Sequence, residues 1–317
     1  MCTAIFCKGE HAYFGRNLDL EQVFHERIVT MPRRYVIPFR HSQAIDFHYA
    51  MIGMATVINR FPLYYDATNE RGLSMAALNF PDNAFYCGYT SYKDNITPFE
   101  FIPWILGQCS STREARLLIE QLNLIGTNFS ENIPLTPLHW IISDKEGSIV
   151  IEPLKSGIAV YDNPFNVLTN NPPFEYHRTN VNNYMNLSSE AIKNELNVRL
   201  PLKNYSLGMG ALGLPGDFSS ASRFIRALFV KENSDFSTDD LSCVNHFFHI
   251  LNSVAMPKGC VGVNEGFEYT RYSSCTNTDT CVYHYTTYND LSVRSVRMYD
   301  SDIDSAELYT YEIEGLE

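Results

Sequence analysis

The sequence predicts an α+β fold in which two antiparallel sheets are covered by helices, and three observations carry that reading. Short runs rich in Val, Ile, Tyr, Phe and Met, punctuated by Gly, Pro or Asn, fill the opening third and return at the end. Segments with helical spacing of apolar residues stand in two blocks between these strand groups. No Gly-, Ser- or Pro-rich linker and no internal repeat breaks the order, so the chain reads as a single domain spanning residues 1–317.

Taken in order, Thr3–Cys7, Ala12–Leu18, Arg27–Met31, Tyr49–Ile58 and Leu73–Leu78 read as strands. Phe99–Gln108 reads as a helix despite Pro103, and Thr112–Gln121 as a second, opened by Ser111 with Glu114 three residues on as a capping box. Leu138–Ser143, Ser148–Pro153 and Gly157–Tyr161 form a strand meander whose first corner is Asp144–Gly147. Helical spacing resumes over Phe174–Asn186, Ala221–Lys231 and Thr238–Ser253, the last capped by Ser237 with Asp240. Phe267–Tyr272, Thr280–Thr287 and Ser292–Tyr299 alternate as hairpin partners, and an acidic tail from Asp300 to Glu314 reads as a solvated edge.

Composition removes several function classes. With 45% hydrophobic and 19% charged residues the chain is an ordinary globular one, and its 24 Lys plus Arg against 36 Asp plus Glu give a formal charge of −12. That charge repels phosphate backbones and anionic lipid, so neither nucleic acid nor a membrane surface is an expected partner. The longest mostly apolar stretch, Tyr49–Ile58, is far below the roughly 20 residues of a membrane-crossing helix. Lys8, Glu10, His11 and Arg16 interrupt the first twenty residues, which therefore lack the continuous apolar region of a secretory signal. The expected location is cytoplasmic, which makes the sequons at Asn95, Asn128, Asn186 and Asn204 chance matches.

Two motifs are set aside. Gly208, Gly210 and Gly213 spell G-x-G-x-x-G, but a polar segment precedes them, and Pro215 and Gly216 follow where a phosphate-binding helix would begin. His246 and His249 share a helix face without a carboxylate or thiolate spaced to complete a metal site, so neither a metal nor a cofactor is expected. The eight cysteines contain no C-x-x-C pair and most of them read as buried thiols, while Cys2 differs because of where it lies. Removal of Met1 would place a free amine on the carbon that bears the Cys2 thiol. Such an amine, with an ordinary pKa of about 7.7–8.0, is a base that covalent structure sets beside the nucleophile. The segment Phe14-Gly15-Arg16-Asn17-Leu18-Asp19 offers a cation to favour thiolate and a carboxylate to orient the amine. On a strand, Arg16 and Asp19 fall on opposite faces unless a bulge or the strand end turns Asp19 inward.

Beyond this point a resemblance extends the reading. Met-Cys-Thr at the start, Phe14–Asp19, Asn69-Glu70-Arg71-Gly72-Leu73, Ala77-Leu78-Asn79-Phe80-Pro81, Leu168-Thr169-Asn170-Asn171-Pro172 and Leu214–Phe224 resemble, in order, segments of the choloylglycine hydrolase family. They span nearly the whole chain. The resemblance implies an N-terminal nucleophile hydrolase, a four-layer α-β-β-α sandwich with two antiparallel sheets facing each other. It implies Cys2 as nucleophile, with Arg16, Asp19, Asn79, Asn170 and Arg223 completing the catalytic set and no cofactor, while Asp217 and Ser219 shape and cap a loop. Positions matching the family's steroid-contacting loops are Leu18, Phe24, Tyr65, Phe129, Ile133 and Leu138, which by themselves would read as core.

The family includes bile salt hydrolases and penicillin V acylases, and Asn79 stands where the former typically have Asn and the latter Tyr. The resemblance therefore implies conjugated bile salts as substrate, with a penicillin V or acyl-homoserine lactone acylase as the alternative, and a homotetramer as the common assembly. A bile-acid or lipid binding protein that never exposes Cys2 is the non-enzymatic alternative. Asn170, after the strand-like Phe165–Leu168, is the side-chain candidate for meeting the oxyanion, with the Asn79 main-chain N–H as a second donor. The competing reading makes both asparagines turn caps before Pro172 and Pro81.

Overall fold

The computed structural model describes residues 1–237, 239–264 and 266–315. In chain order the strands are β1 (Cys2–Lys8), β2 (Ala12–Leu20), β3 (Arg27–Met31), β4 (Met51–Ile58), β5 (Phe61–Asn69), β6 (Ser74–Asn79) and β7 (Asp94–Ile96). Helices α1 (Phe101–Gln108) and α2 (Thr112–Ile119) follow, then β8 (Leu122–Leu124), β9 (Leu138–Asp144), β10 (Gly147–Leu154), β11 (Gly157–Asn163) and β12 (Val167–Leu168). The remainder comprises α3 (Phe174–Asn180), α4 (Ser220–Glu232), α5 (Asp240–Asn252), β13 (Val261–Val263), β14 (Gly266–Asn277), β15 (Val282–Thr287), β16 (Arg294–Arg297) and β17 (Tyr309–Tyr311).

The first sheet runs β12-β1-β2-β14-β15-β16, with β13 on β14, and the second runs β11-β10-β9-β6-β5-β4-β3-β17. Both are antiparallel. They face each other through β1 and β2 against β5 and β6, while α4 and α5 cover the first sheet and α1 and α2 the second. The result is the α+β sandwich the sequence predicts. One apolar core lies between the sheets and under α4 and α5, around Phe6, Phe14, Ile141 and Phe247. A second, around Trp104, Phe101 and Trp140, lies between the second sheet and its helices. Gly15 lets β2 and β14 close up beside the site, since a Cβ there would lie 1.9 Å from the Ser274 carbonyl oxygen.

Several elements differ from expectation for identifiable reasons. Strand β5 was not foreseen, because Pro62 and the polar Asp66, Thr68 and Asn69 mask its pattern. Its hairpin with β4 turns through Asn59 and Arg60, both at positive φ (50° and 66°), as a tight two-residue turn without glycine. Pro62 pairs only with β4, because β6 joins β5 from Asp66 onward, so its missing N–H breaks no ladder. β14 continues to Asn277, since its polar residues are buried between β2 and β15. The helix read over Phe174–Asn186 is α-helical only to Asn180 and continues as a 3₁₀ turn over Val181–Tyr184. Asp239, not Ser237 with Asp240, caps α5 by accepting the Ser242 N–H at 3.2 Å, and Ser237 instead donates to Asp235. Thr238, where that helix was read to begin, lies outside the described residues. Ser111 caps α2 as expected, but the Glu114 carboxylate reaches back to the N–H and hydroxyl of Ser110 rather than Ser111. The acidic tail forms the edge strand β17, its flanking acids paired with Arg27, Arg33 and Arg60.

Candidate active site

Cys2 opens β1, between β12 and β2, and is 3% exposed. It pairs with Leu18 in register, so the two side chains share a face of the sheet, and Arg16, two residues earlier on β2, shares it too. All three line one cavity of about 270 Å³ between the sheets. Asp19 falls on the opposite face. The irregularity that would have turned it inward lies in β14, at Arg271, and leaves β2 regular.

The main chain of Cys2 is gripped from the helix side. Its N–H donates to Asn170 Oδ1 at 2.8 Å, and its carbonyl oxygen accepts from Arg223 Nη1. Arg223, fully buried on α4, also donates to Thr3 Oγ1 at 2.6 Å, to Asn170 Oδ1 at 2.8 Å and to the Phe218 carbonyl at 3.0 Å. Burial pulls its basicity below the ordinary value, and the charges of Asp19, Cys2 and Glu268 only partly offset that. Asp217 and Ser219 shape the start of α4. Ser219 caps it by accepting the Ser222 N–H, and hydrogen bonds from Ser219 and Ser222 hold the Asp217 carboxyl at about 2.

Arg16 is equally buried but differently balanced. β5 and β6 separate beyond Asp66 and Ala76, and the guanidinium fills the wedge, donating through Nη1 to the Tyr65 carbonyl at 3.0 Å and to the Ala77 carbonyl. Tyr65 is the extra residue of a bulge in β5 opposite Met54 and Ala55, which frees its carbonyl for this contact. Arg16 Nη2 is buried with no hydrogen-bond partner among the described residues. Burial opposes its charge, but Cys2, Tyr272, Asp66 and Asp19 outweigh that and hold it more basic than usual.

Asn170 joins three parts of the site, because its Nδ2 donates to the Asn79 carbonyl oxygen at 2.7 Å while its Oδ1 serves Cys2 and Arg223. The Phe80 N–H bonds the Pro137 carbonyl, making Asn79 and Leu138 a non-hydrogen-bonded pair of the ladder. The Asn79 N–H and C=O therefore face away from β9, toward the gap that Arg16 occupies. Its carboxamide lines the cavity with no hydrogen bond to another described residue. Neither side chain caps a proline turn.

Met1 is ordered along β2: its ammonium donates to the Asp19 carbonyl at 2.8 Å and to Glu268 Oε1 at 2.6 Å, while its carbonyl accepts the Asp19 N–H at 3.0 Å. Asp19 Oδ1 accepts from Thr270 at 2.6 Å, and its Oδ2 is buried with no hydrogen-bond partner among the described residues.

Leu18, Phe24, Tyr65, Phe129, Ile133 and Leu138 all line the cavity, joined by Phe99, Pro98 and Leu63, which the sequence reading did not single out. Also missed was the frame behind Asn170. His139 Nε2 donates to the Thr169 carbonyl at 2.8 Å, His177 Nε2 to the Asn170 carbonyl at 3.0 Å, and Ser220 Oγ accepts the Asn170 N–H at 2.8 Å. These residues come from β9, α3 and α4, and no local pattern links them. Cys7, Cys109, Cys243, Cys275 and Cys281 are buried packing thiols, and burial pushes Cys7 and Cys109 up to about 12 and Cys281 to about 11, whereas Cys87 and Cys260 are exposed on loops. His246 bonds the Asp235 carbonyl, and no group of His, Cys, Asp and Glu that could hold a metal occurs among the described residues. Gly208 and Gly213 adopt positive φ around a 3₁₀ turn, with no helix positioned for a phosphate.

Comparison with known proteins identifies the chain's family. Residues 2–311 match the model of the linear amide C–N hydrolases, choloylglycine hydrolase family. The chain is 49% identical to a bile salt hydrolase/transferase of Lactiplantibacillus plantarum over 98% of its length and 96% of the relative's. It is 37% identical to a bile salt hydrolase/transferase of Clostridium perfringens, over 98% and 96% of the two chains. Crystal structures of variants of the conjugated bile acid hydrolase from C. perfringens superpose with a TM-score of 0.91 at 36% identity, covering 99% of this chain and 97% of that one. A penicillin V acylase from Agrobacterium tumefaciens shares the fold, with a TM-score of 0.78 at 17% identity over 98% and 91% of the chains. The chain therefore belongs to the choloylglycine hydrolase family of linear amide C–N hydrolases.

Proposed function

We propose that this protein hydrolyses the amide bond of glycine- or taurine-conjugated bile salts, with Cys2 as nucleophile. The observation that carries the reading is a thiol at the polar end of a cavity whose remaining walls are apolar and aromatic, in a chain 49% identical to a bile salt hydrolase/transferase. A steroid acyl group matches those walls, and the carbonyl at its end meets Cys2, Arg16 and Asn79.

The chemistry starts once Met1 is removed. The freed Cys2 amine, held by Asn170 Oδ1, takes the thiol proton, and Arg16 favours the thiolate. Sulfur attacks the amide carbon and the carbonyl electrons move to oxygen, where the Asn79 N–H and the second N–H of Asn170 Nδ2 donate to the oxyanion. Collapse breaks the C–N bond. The α-ammonium protonates the leaving nitrogen, glycine or taurine departs, and a thioester remains. Water, deprotonated by the same amine, attacks the thioester, releasing the bile acid and restoring the thiol. An amine in place of water gives acyl transfer, the second activity in the names of the two relatives.

Assembly as a homotetramer and a cytoplasmic location belong to the same proposal. Met185, Leu196, Val198, Tyr205 and Leu207 are each more than 80% exposed in an irregular segment before α4, an apolar surface that a second copy would cover. Sedimentation of the purified protein tests the assembly. The function is tested by incubating processed protein with glycocholate, taurocholate and penicillin V and measuring released glycine, taurine and 6-aminopenicillanic acid. Bile salt cleavage that disappears in Cys2→Ala supports the reading. Cleavage of penicillin V alone would assign the pocket to smaller acyl groups, and bile salt binding without cleavage by chain lacking Met1 would make it a binder.

A further inference from the structure

One wall of the cavity is the irregular loop between β8 and β9, which carries Phe129 and Ile133. It closes on itself: Ser130 and Ile133 exchange main-chain hydrogen bonds at 3.3 Å, and Asn128 Oδ1 accepts the Leu135 N–H at 2.9 Å. Its far end is held by Tyr86, whose hydroxyl donates to the Thr136 carbonyl at 2.9 Å and accepts the Leu138 N–H at 2.8 Å. Its near end is held by Arg40. Arg40 Nη1 donates to the Asn128 carbonyl at 2.5 Å and Nη2 to the Phe129 carbonyl. The guanidinium carbon also lies 4.7 Å from the Phe99 ring centroid and 5.2 Å from that of Phe129. Those two rings meet edge to face at 4.9 Å, and both line the cavity.

Arg40 is itself anchored. Its N–H donates to Glu100 Oε1 at 2.7 Å, while Glu100 Oε2, at the start of the segment leading into α1, accepts the N–H and hydroxyl of Thr97 at 2.9 and 2.7 Å. Glu100 is 1% exposed, so the anchor is buried although the Arg40 side chain is not. A planar guanidinium can give two N–H groups to successive carbonyls while its face rests on aromatic rings, a combination an ammonium cannot reproduce.

We infer that Arg40, which lies outside the cavity, is a positioning residue for acyl-group recognition. It seats the loop over residues 126–137 and the Phe99–Phe129 pair against the space that receives the steroid, and plays no part in the chemistry at Cys2. For its substrate the inference rests on the bile-salt reading; it does not depend on which groups are catalytic.

The test compares processed wild type, Arg40→Gln and Arg40→Lys. Loosening two aromatic side chains and their loop is expected to raise KM for glycocholate about 3- to 10-fold, with kcat within about twofold. Arg40→Lys is expected to fall between, because it restores charge without the fork. Alkylation of Cys2 by iodoacetamide is expected to keep its wild-type rate. Deuterium uptake is expected to rise in peptides covering 126–137 and nowhere in the sheets. An unchanged KM in Arg40→Gln overturns the inference, and so does a rise accompanied by faster exchange across β1 and β6 with slower alkylation, which marks general destabilisation. Should wild type cleave no bile salt, the substrate reading fails by itself, and the exchange measurement still decides whether Arg40 seats the loop.

Discussion

Replacing Asn170 by Ala separates two roles that its position allows. Its carboxamide makes three hydrogen bonds, from Cys2 N–H and Arg223 Nη2 to Oδ1 and from Nδ2 to the Asn79 carbonyl. Truncation abandons two buried donors, one of them charged. A buried donor without a partner costs about 1–3 kcal/mol, so a loss of roughly 2–6 kcal/mol of folding stability is expected. If Nδ2 also donates to the oxyanion, kcat per folded molecule falls a further 10²- to 10³-fold, on the order of the loss of one such donor, with little change in KM. Both quantities are measurable: the urea midpoint for stability, and kcat normalised to alkylatable Cys2 for chemistry. Asn170→Asp sharpens the comparison, because it keeps two acceptor oxygens for the Cys2 nitrogen and Arg223 but removes the donor. Equal kinetic losses in the two variants fit oxyanion donation, whereas a near-normal Asp variant reduces Asn170 to orienting the amine. A destabilised Asn170→Ala with normal kcat would refute the catalytic reasoning altogether.

Protein that retains Met1 is expected to be inactive, since its Cys2 nitrogen is an amide without a basic lone pair; turnover at the processed rate by a sample whose intact mass includes Met1 would contradict this. Cys2→Ala is expected to abolish hydrolysis with an unchanged urea midpoint, because little buried volume is lost, and Cys2→Ser to be strongly impaired. Truncating Phe129 or Ile133 to Ala is expected to raise KM for bile salts by about 1–3 kcal/mol of lost apolar contact; unchanged kinetics in both would move the steroid elsewhere. Stability is expected to fall on acidification below the ordinary histidine value, because burial holds His177 at about 4 against a usual 6.5. Between those values the unfolded chain binds a proton that the folded chain does not, so the contribution is complete above 6.5 and is lost as pH falls to about 4, a change of about 3 kcal/mol. Urea midpoints across that range are expected to slope less in His177→Gln than in wild type, and equal slopes would remove His177 as a source.

Local pattern determined much of this protein. Runs rich in β-branched and aromatic residues, bounded by Gly, Pro or Asn, marked β1, β2, β3, β4, β6 and the β9–β11 meander, because strands such as β1, β2, β9 and β10 are buried on both faces. A capping residue marked the start of α2, and helical spacing of apolar residues marked α4 and α5. Five of the six resembling segments, from Met-Cys-Thr at the start to Leu214–Phe224, named Arg16, Asn79, Asn170 and Arg223 together with Cys2, and these side chains meet around Cys2 although nothing local joins them. Strand β5 stayed hidden: its Asp66, Thr68 and Asn69 are buried and satisfied by tertiary partners, Tyr272 and Tyr283 on Asp66, Ser74 of the neighbouring strand on Thr68 and the Leu106 and Cys109 carbonyls on Asn69, and polar residues of that kind look like a loop in one dimension. Tertiary structure alone decided that Cys2 turns its thiol to the cavity while Asn170 and Arg223 hold its main chain from behind. It also decided that Arg16 sits in the wedge where β5 leaves β6, that His139, His177 and Ser220 frame Asn170, and that Arg40 reaches the Phe129 loop. Each of these contacts spans many residues of chain and depends on strand register and sheet packing, whereas a sequence pattern records only the side chains that share a face within one element.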